Sequence, residues 1–171
     1  MAHDNQQNFF RKVSERYPEN FSGVKVLECG SLNVNGTVRD LFKDCDYLGI
    51  DIVEGNCVDK VCKTHELSDD CVYDTVISGE MLEHDEFWKE SLAKMYRVLK
   101  PNGLLVLSCA GRDRPEHGTR NTGELWGTSP DYYKNLEPSD IGAVLKGYMF
   151  TDCAFEVNEQ TYDTYFFGKR L

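Results

Sequence analysis

Apolar residues fall along this chain in two kinds of pattern, compact runs and helical stripes. Residues 24–29, 47–52, 58–62, 72–78 and 104–109 are short runs rich in β-branched side chains and read as strands. The last is almost continuously apolar, as a strand covered on both faces would be. Between them the period lengthens. Residues 85–99 place Trp88, Leu92, Met95, Tyr96 and Leu99 at spacings of three and four, one buried stripe of a helix. That helix is expected to stop at Lys100-Pro101-Asn102-Gly103, a proline and Asn-Gly turn. Residues 35–43 carry Val38, Leu41 and Phe42 on one helical face, with Asn35 as N-cap. Residues 5–17 predict an N-terminal helix with Phe9, Phe10 and Val13 inward. Residues 138–146 predict a short helix with Pro138 at its first position and Asp140 in its first turn. Two strands, 153–157 and 161–168, follow it, joined tightly through Asn158-Glu159-Gln160. Residues 110–135 are polar and aperiodic and read as a long loop carrying Trp126, Tyr132 and Tyr133. Strands alternating with helices predict one α/β domain. Its expected architecture is a doubly wound, mostly parallel seven-stranded sheet ending in an antiparallel hairpin, with helices on both faces.

Polar residues gather at the predicted strand ends. Strand one ends in Glu28-Cys29-Gly30-Ser31, strand two in Asp51, strand four in Ser78-Gly79-Glu80, and strand five in Ser108-Cys109-Ala110-Gly111. In open α/β sheets, ligands bind outside the carboxyl ends of the strands, where strand order reverses. Glu28 lies among Val26, Leu27 and Cys29, so its carboxylate needs a partner to offset desolvation. Gly30 permits a tight turn and close approach of a ligand. Asp51 follows Gly30 by 21 residues, after one predicted helix and one strand, the usual place for an acid that binds ribose hydroxyls. An acid at a strand end can also cap a helix, and a lone glycine can be a plain turn. Their concurrence at matching strand ends favours a ligand site.

Composition narrows the choice. A chain of 171 residues holds one domain, and 40% hydrophobic with 28% charged residues is an ordinary globular balance. The formal net charge of −10 disfavours a nucleic-acid partner, leaving a small molecule as the simpler one. No apolar run is long enough for a membrane span, and residues 1–17 lack a signal-peptide centre, so a cytoplasmic protein is expected. The seven cysteines have no pair at metal-knuckle spacing; they are expected to be buried, reduced thiols, with metal binding by them as the alternative and no metal site otherwise foreseen.

The chain resembles the class I S-adenosylmethionine-dependent methyltransferases. Val26-Leu27-Glu28-Cys29-Gly30-Ser31 is similar to that family's hydrophobic-Glu-x-Gly segment, and Leu48-Gly49-Ile50-Asp51 to its strand-two acid. Tyr73 to Ser78 followed by Glu80-Met81-Leu82-Glu83-His84, and Val98-Leu99-Lys100-Pro101-Asn102-Gly103-Leu104-Leu105, are similar to two later motifs. The four occur in order within residues 24–109, which the resemblance makes the cofactor-binding core, with 110–135 as a lid over the acceptor. It implies S-adenosylmethionine as cofactor and S-adenosylhomocysteine as product. It implies Glu28 near the methionine ammonium, the backbone of Gly30 and Ser31 beside the methionine, and Asp51 on the ribose. Ile52 would face the adenine, Thr64 and His65 its edge, and Ser78, Gly79 and Glu80 the methionine side. Two positions depart from the family pattern. Leu32 stands where a second glycine is usual, so Asn35 or Gly36 is expected to give the tight approach, and Lys63 stands where an acid is usual.

A sulfonium methyl is already electrophilic, so the enzyme must align donor and acceptor and, for a hydroxyl, remove a proton. His84 and His117 are the candidate bases, with Glu80 and Glu83 as further candidates; His84 could equally cap a helix, His117 could be a solvated loop residue, and Glu80 is better placed to shape the cofactor pocket. The expected reaction is methyl transfer to an oxygen or nitrogen of a small molecule, a sugar or other metabolite. The rival reading is a non-catalytic Rossmann-like protein that binds cofactor or a partner. A nicotinamide dehydrogenase would need Gly-x-Gly-x-x-Gly after strand one, which is absent.

Overall fold

The computed structural model describes residues 4–68, 71–124 and 131–171. Its strands are β1 (Lys25–Cys29), β2 (Asp46–Asp51), β3 (Lys60–Val61), β4 (Tyr73–Gly79), β5 (Leu99–Ala110), β6 (Phe150–Asn158) and β7 (Asp163–Arg170). Its α-helices are α1 (Asp4–Arg16), α2 (Trp88–Val98) and α3 (Pro138–Leu145). The strands form one sheet in the order β3-β2-β1-β4-β5-β7-β6. The first five are parallel, and β7 lies antiparallel between β5 and β6. The mostly parallel seven-stranded sheet with a terminal hairpin is therefore the architecture observed.

Two cores sandwich the sheet. On one face α1 lays Phe9, Phe10 and Val13 over Val26, Ile77, Leu104 and Val106, with Phe9 stacked on Tyr165 at 4.5 Å between ring centres. On the other face Leu92, Met95 and Val98 of α2 and Ile141 and Leu145 of α3 cover Leu27, Val76, Leu105 and Leu107. Glu137 and Asp140 form a reciprocal cap at the start of α3, satisfying two backbone donors that the helix leaves free. No helix among the described residues is long and apolar enough to cross a membrane.

Three expectations are corrected. Residues 35–43 do not form an α-helix; only a single 3-10 turn, Arg39–Leu41, is present. Side chains compete with helical hydrogen bonding there: Asn33 Oδ1 accepts the Gly36 amide at 2.8 Å and Thr37 Oγ1 the Arg39 amide at 3.1 Å. Phe42 then stacks on Phe21 rather than completing a helical face. The turn expected at Lys100 to Gly103 is instead absorbed into β5 as an irregularity. Tyr73 pairs with Leu99 but Thr75 with Leu104, Asn102 takes φ +64°, and Lys100 Nζ reaches Asp74 at 2.8 Å. All seven cysteines are free, but only Cys29 and Cys109 are buried; Cys71 and Cys153 are exposed and the others half-buried. Of the loop aromatics, Trp126 lies outside the described residues.

Because α1 supplies the only α-helical cover on its face among the described residues, Phe10 should be a keystone. It is fully buried. Phe10→Ala is expected to cost about 3–5 kcal/mol, as truncation of a buried phenylalanine does. Urea unfolding followed by circular dichroism checks this; a loss below about 1 kcal/mol would mean that α1 is not anchored there.

Candidate functional site

The chain leaves β1 to form β2 on one side and returns to form β4 on the other. Connections on opposite sides leave a crevice beyond the carboxyl ends of β1 and β4. A cavity opens there, and Glu28, Gly30, Ser31, Asn35, Asp51, Ile52, Thr64, Gly79, Glu80, His84 and His117 all line it. Asn35 and Ile52 are exposed at its rim. Of the residues named from sequence, His65 and Ser78 stay outside it. Ser78 is fully buried and its hydroxyl donates to the Cys29 carbonyl at 2.9 Å, tying β4 to β1. His65 packs its ring on Phe87 at 4.5 Å.

Gly30 ends β1 with φ +80°, and a Cβ there would stand 2.5 Å from that of Met81. Only glycine fits this turn, and the bare backbone forms the cavity floor. Asp51 ends β2. Its Oδ2 accepts the Leu32 amide at 3.1 Å, and its Oδ1 those of Ile52 at 2.8 Å and Val53 at 3.3 Å. The acid thus clamps the turn after β1 to the turn after β2. Burial raises its pKa against the opposing pull of those amides. Glu28 accepts the Tyr47 hydroxyl at 2.9 Å, and burial pushes its pKa up to about 7 despite that bond.

On the opposite wall sits a group that sequence reasoning passed over. Gln6 of α1 is 1% exposed and lines the cavity. Its amide nitrogen donates to Glu80 Oε1 at 3.0 Å and also to the Ser108 hydroxyl, which donates to the same carboxylate at 3.1 Å. Gln6 Oε1 and Glu80 Oε2 are buried and find no partner among the described residues. The signal was present: Gln6 precedes Phe9, Phe10 and Val13 by three, four and seven, on the same buried stripe. Burial, then the charges of Glu83 and Asp163, hold the Glu80 carboxyl well above the usual range.

Beyond Glu80 the chain turns through Leu82–His84, which drives Glu83 inward. Glu83 is fully buried and burial raises its pKa; Oε1 accepts the Ala110 amide at 3.1 Å, and Oε2 has no partner among the described residues. Beside it, His84 and His117 pack edge to face at 5.1 Å, and both contact Tyr133, at 5.4 and 5.0 Å. His117 Nδ1 hydrogen-bonds the Pro115 carbonyl at 3.1 Å, leaving Nε2 buried and unpartnered among the described residues. Burial lowers the pKa of both histidines, that of His84 to about 4, so both are neutral at pH 7. The loop is held down by the Lys134 amide on the Glu83 carbonyl at 2.8 Å and the Leu136 amide on the Ala110 carbonyl at 2.8 Å. One wall of the cavity is therefore acidic, and the far end carries two neutral imidazoles.

Comparison with known proteins follows the same lines. The methyltransferase-domain family matches residues 1–137. A ubiquinone biosynthesis O-methyltransferase of Rickettsia prowazekii is 30% identical over 148 residues, 83% of this chain and 54% of that protein. The enzyme of the same name from Rickettsia typhi is 32% identical over 100 residues, 55% of this chain and 39% of that protein. The chain thus spans about half the length, or less, of these curated relatives. The fold is similar to that of the 1,6-didemethyltoxoflavin-N1-methyltransferase of Burkholderia thailandensis, crystallised with 1,6-didemethyltoxoflavin and S-adenosylhomocysteine. The TM-score is 0.66 at 15% identity, covering 97% of this chain and 80% of that one. By its sequence match over residues 1–137, the chain belongs to the methyltransferase-domain family.

Proposed function

We propose that the chain binds S-adenosylmethionine in this cavity and transfers its methyl group to an oxygen or nitrogen of a small molecule. The observation that carries the reading is the pairing of Asp51 and Glu28 on neighbouring strand ends across Gly30, in one cavity with Gln6 and Glu80. The cofactor carries two ribose hydroxyls, an ammonium and a sulfonium. Asp51 gives three of its about four acceptor positions to amides, the longest at 3.3 Å, and keeps one for a ribose hydroxyl. Gln6 Oε1 and Glu80 Oε2, buried acceptors without partners among the described residues, suit the ammonium. Glu28, costly to ionise alone, is stabilised as a carboxylate by a cation nearby. These residues fit the group; when bound, it supplies an electrophilic methyl on sulfur.

The chain's own work is alignment and proton removal. The acceptor enters at the histidine end, where His84, His117 and Tyr133 shape the pocket. A neutral imidazole of His84 or His117 accepts the proton of an attacking hydroxyl. With Asp51, Glu28, Gln6 and Glu80 holding the cofactor, it would supply its methyl group to that oxygen and leave as S-adenosylhomocysteine. The names of the Rickettsia relatives favour oxygen over nitrogen as the acceptor atom. The net charge of −10 and the acidic cavity wall support a small acceptor without phosphates over nucleic acid.

Calorimetric titration with S-adenosylhomocysteine tests the reading directly. Asp51→Ala is expected to weaken binding roughly tenfold or more through loss of charge-assisted hydrogen bonds. Unchanged affinity would refute the ribose role, and no binding by the wild type would sink the whole proposal.

Glu28 yields a pH dependence. Its folded pKa of about 7 lies above the ordinary carboxylate value of 4.5. The folded state therefore holds this proton more tightly, so Glu28 erodes stability as pH rises between those values. A cationic ligand works the other way and favours the ionised form. Affinity for S-adenosylhomocysteine should rise roughly tenfold from pH 6 to pH 8, following that ionisation. Glu28→Gln should flatten the slope; an equal slope in both proteins would remove Glu28 from the binding site.

A further inference from the structure

We propose that Glu83, His84 and His117 form a binding site for a divalent transition-metal ion of the zinc type at the acceptor end of the cavity. The three side chains offer ligand atoms that all lie within 4.8 Å of one another. Metal–ligand bonds of about 2.0–2.2 Å separate the donors around one ion by up to about 4 Å. Small side-chain rotations therefore close the set.

Three independent features point to a cation here. First, Glu83 is fully buried, and its Oε2 has no partner among the described residues. Neighbouring cations are engaged elsewhere: the Lys134 ammonium lies 3.7 Å from Asp140, and Arg114 bonds to Asp163 and the Thr161 carbonyl. A buried carboxylate left in this way costs several kcal/mol unless a cation or proton meets it. Second, His117 is already oriented as a ligand. Its Nδ1 faces the Pro115 carbonyl at 3.1 Å and donates to it, so Nε2 carries the free lone pair and is buried. An imidazole fixed by a backbone carbonyl in this way is the usual outer support of a metal-bound histidine. Third, the donor set is selective. Two neutral imidazoles and one carboxylate suit zinc and its first-row neighbours, whereas magnesium and calcium call for oxygen. Three protein ligands leave coordination positions open. His84 and His117 line the cavity, so those positions face it and would take an oxygen of the acceptor; with the ion bound, the histidine nitrogens are its ligands, and the ion's lowering of the hydroxyl pKa takes the place of the histidine base described above.

The sequence hid this site because its ligands come from two distant segments. Glu83 and His84 sit on the turn after β4, and His117 on the loop after β5. The Lys134 amide on the Glu83 carbonyl and the Tyr133 hydroxyl on the Pro115 carbonyl bring the loop against the turn. An ion here would pin the loop to the sheet.

The test uses the full chain with metal alone, so it does not depend on the cofactor reading. Chelator-treated, reduced protein is titrated with cobalt(II) and followed by visible and near-ultraviolet absorption. The expected result is one equivalent bound with weak visible bands, no intense thiolate-to-cobalt band, and displacement by zinc. His117→Ala, a half-exposed loop position, should weaken binding by roughly tenfold or more, and His117→Gln should do the same while preserving volume. Absence of stoichiometric binding, a thiolate band, or unchanged affinity in both variants would overturn the site. Cobalt binding without S-adenosylhomocysteine binding would refute the function proposed above and leave this site standing; the converse result would do the reverse.

Discussion

β1 is hydrogen-bonded in parallel on both edges, and the site depends on that constraint. Leu27, Glu28 and Cys29 pair with Leu48, Gly49 and Ile50 of β2 on one side and with Val76, Ile77 and Ser78 of β4 on the other. A one-residue slip on either side would turn every inward side chain outward. With the register held, Glu28, Asp51 and Glu80 arrive at one edge of the sheet at one depth. The Ser78 hydroxyl on the Cys29 carbonyl reinforces the pairing inside the core, where water cannot compete. The turn at Gly30 can therefore be bare backbone at φ +80°, because the strands on both sides over-determine it.

That register collects carboxylates. Glu28, Glu80 and Glu83 are buried and Asp51 half-buried, and burial raises the pKa of each. A core designed only for stability would not keep them, since each ionised group loses its hydration and Glu80 and Glu83 also repel one another. The fold tolerates them through local donors: the Tyr47 hydroxyl for Glu28, three amides for Asp51, Gln6 and Ser108 for Glu80, and the Ala110 amide for Glu83. The donors are incomplete for Glu80 and Glu83, each with one oxygen unpartnered among the described residues. The deficit is electrostatic and has one sign. Cationic ligands remove it.

Much of this was legible in the chain and some was not, for physical reasons. Period alone marked the strands, because a strand buried on both faces must be apolar throughout, and marked α2, because a one-sided helix must repeat at three and four. Glu28, Gly30 and Asp51 were legible because a charge or a glycine at the end of an apolar run has few structural reasons to be there. Residues 35–43 misled because Val38, Leu41 and Phe42 keep a helical spacing that packing alone explains: they bury against the α1-side core from an irregular loop. Gln6 was missed since a polar residue on an apolar stripe is invisible to a search for hydrophobic positions. Glu83 was missed as a buried group because its direction is set by one 3-10 turn, a local geometry with no periodicity.

The same distinction says where specificity resides. Between β1 and β4 the described chain contains no α-helix; its 3-10 turns and loops are held by side-chain bonds such as Arg39 on the Cys57 carbonyl at 3.2 Å. These short connections build the floor and the Asp51 side of the cavity. Its remaining walls come from outside that unit, α1 through Gln6 and Phe10, the turn after β4 through Glu80, Met81 and His84, and the loop after β5 through His117. The two parts answer to different constraints. The floor is fixed by register and glycine geometry, so a change there disturbs the sheet as well as the ligand. The outer walls hang on a few polar contacts, Gln6 on Glu80 and Lys134 on the Glu83 carbonyl. Substitutions in α1 or the loop can therefore alter what is bound while leaving the seven strands in place.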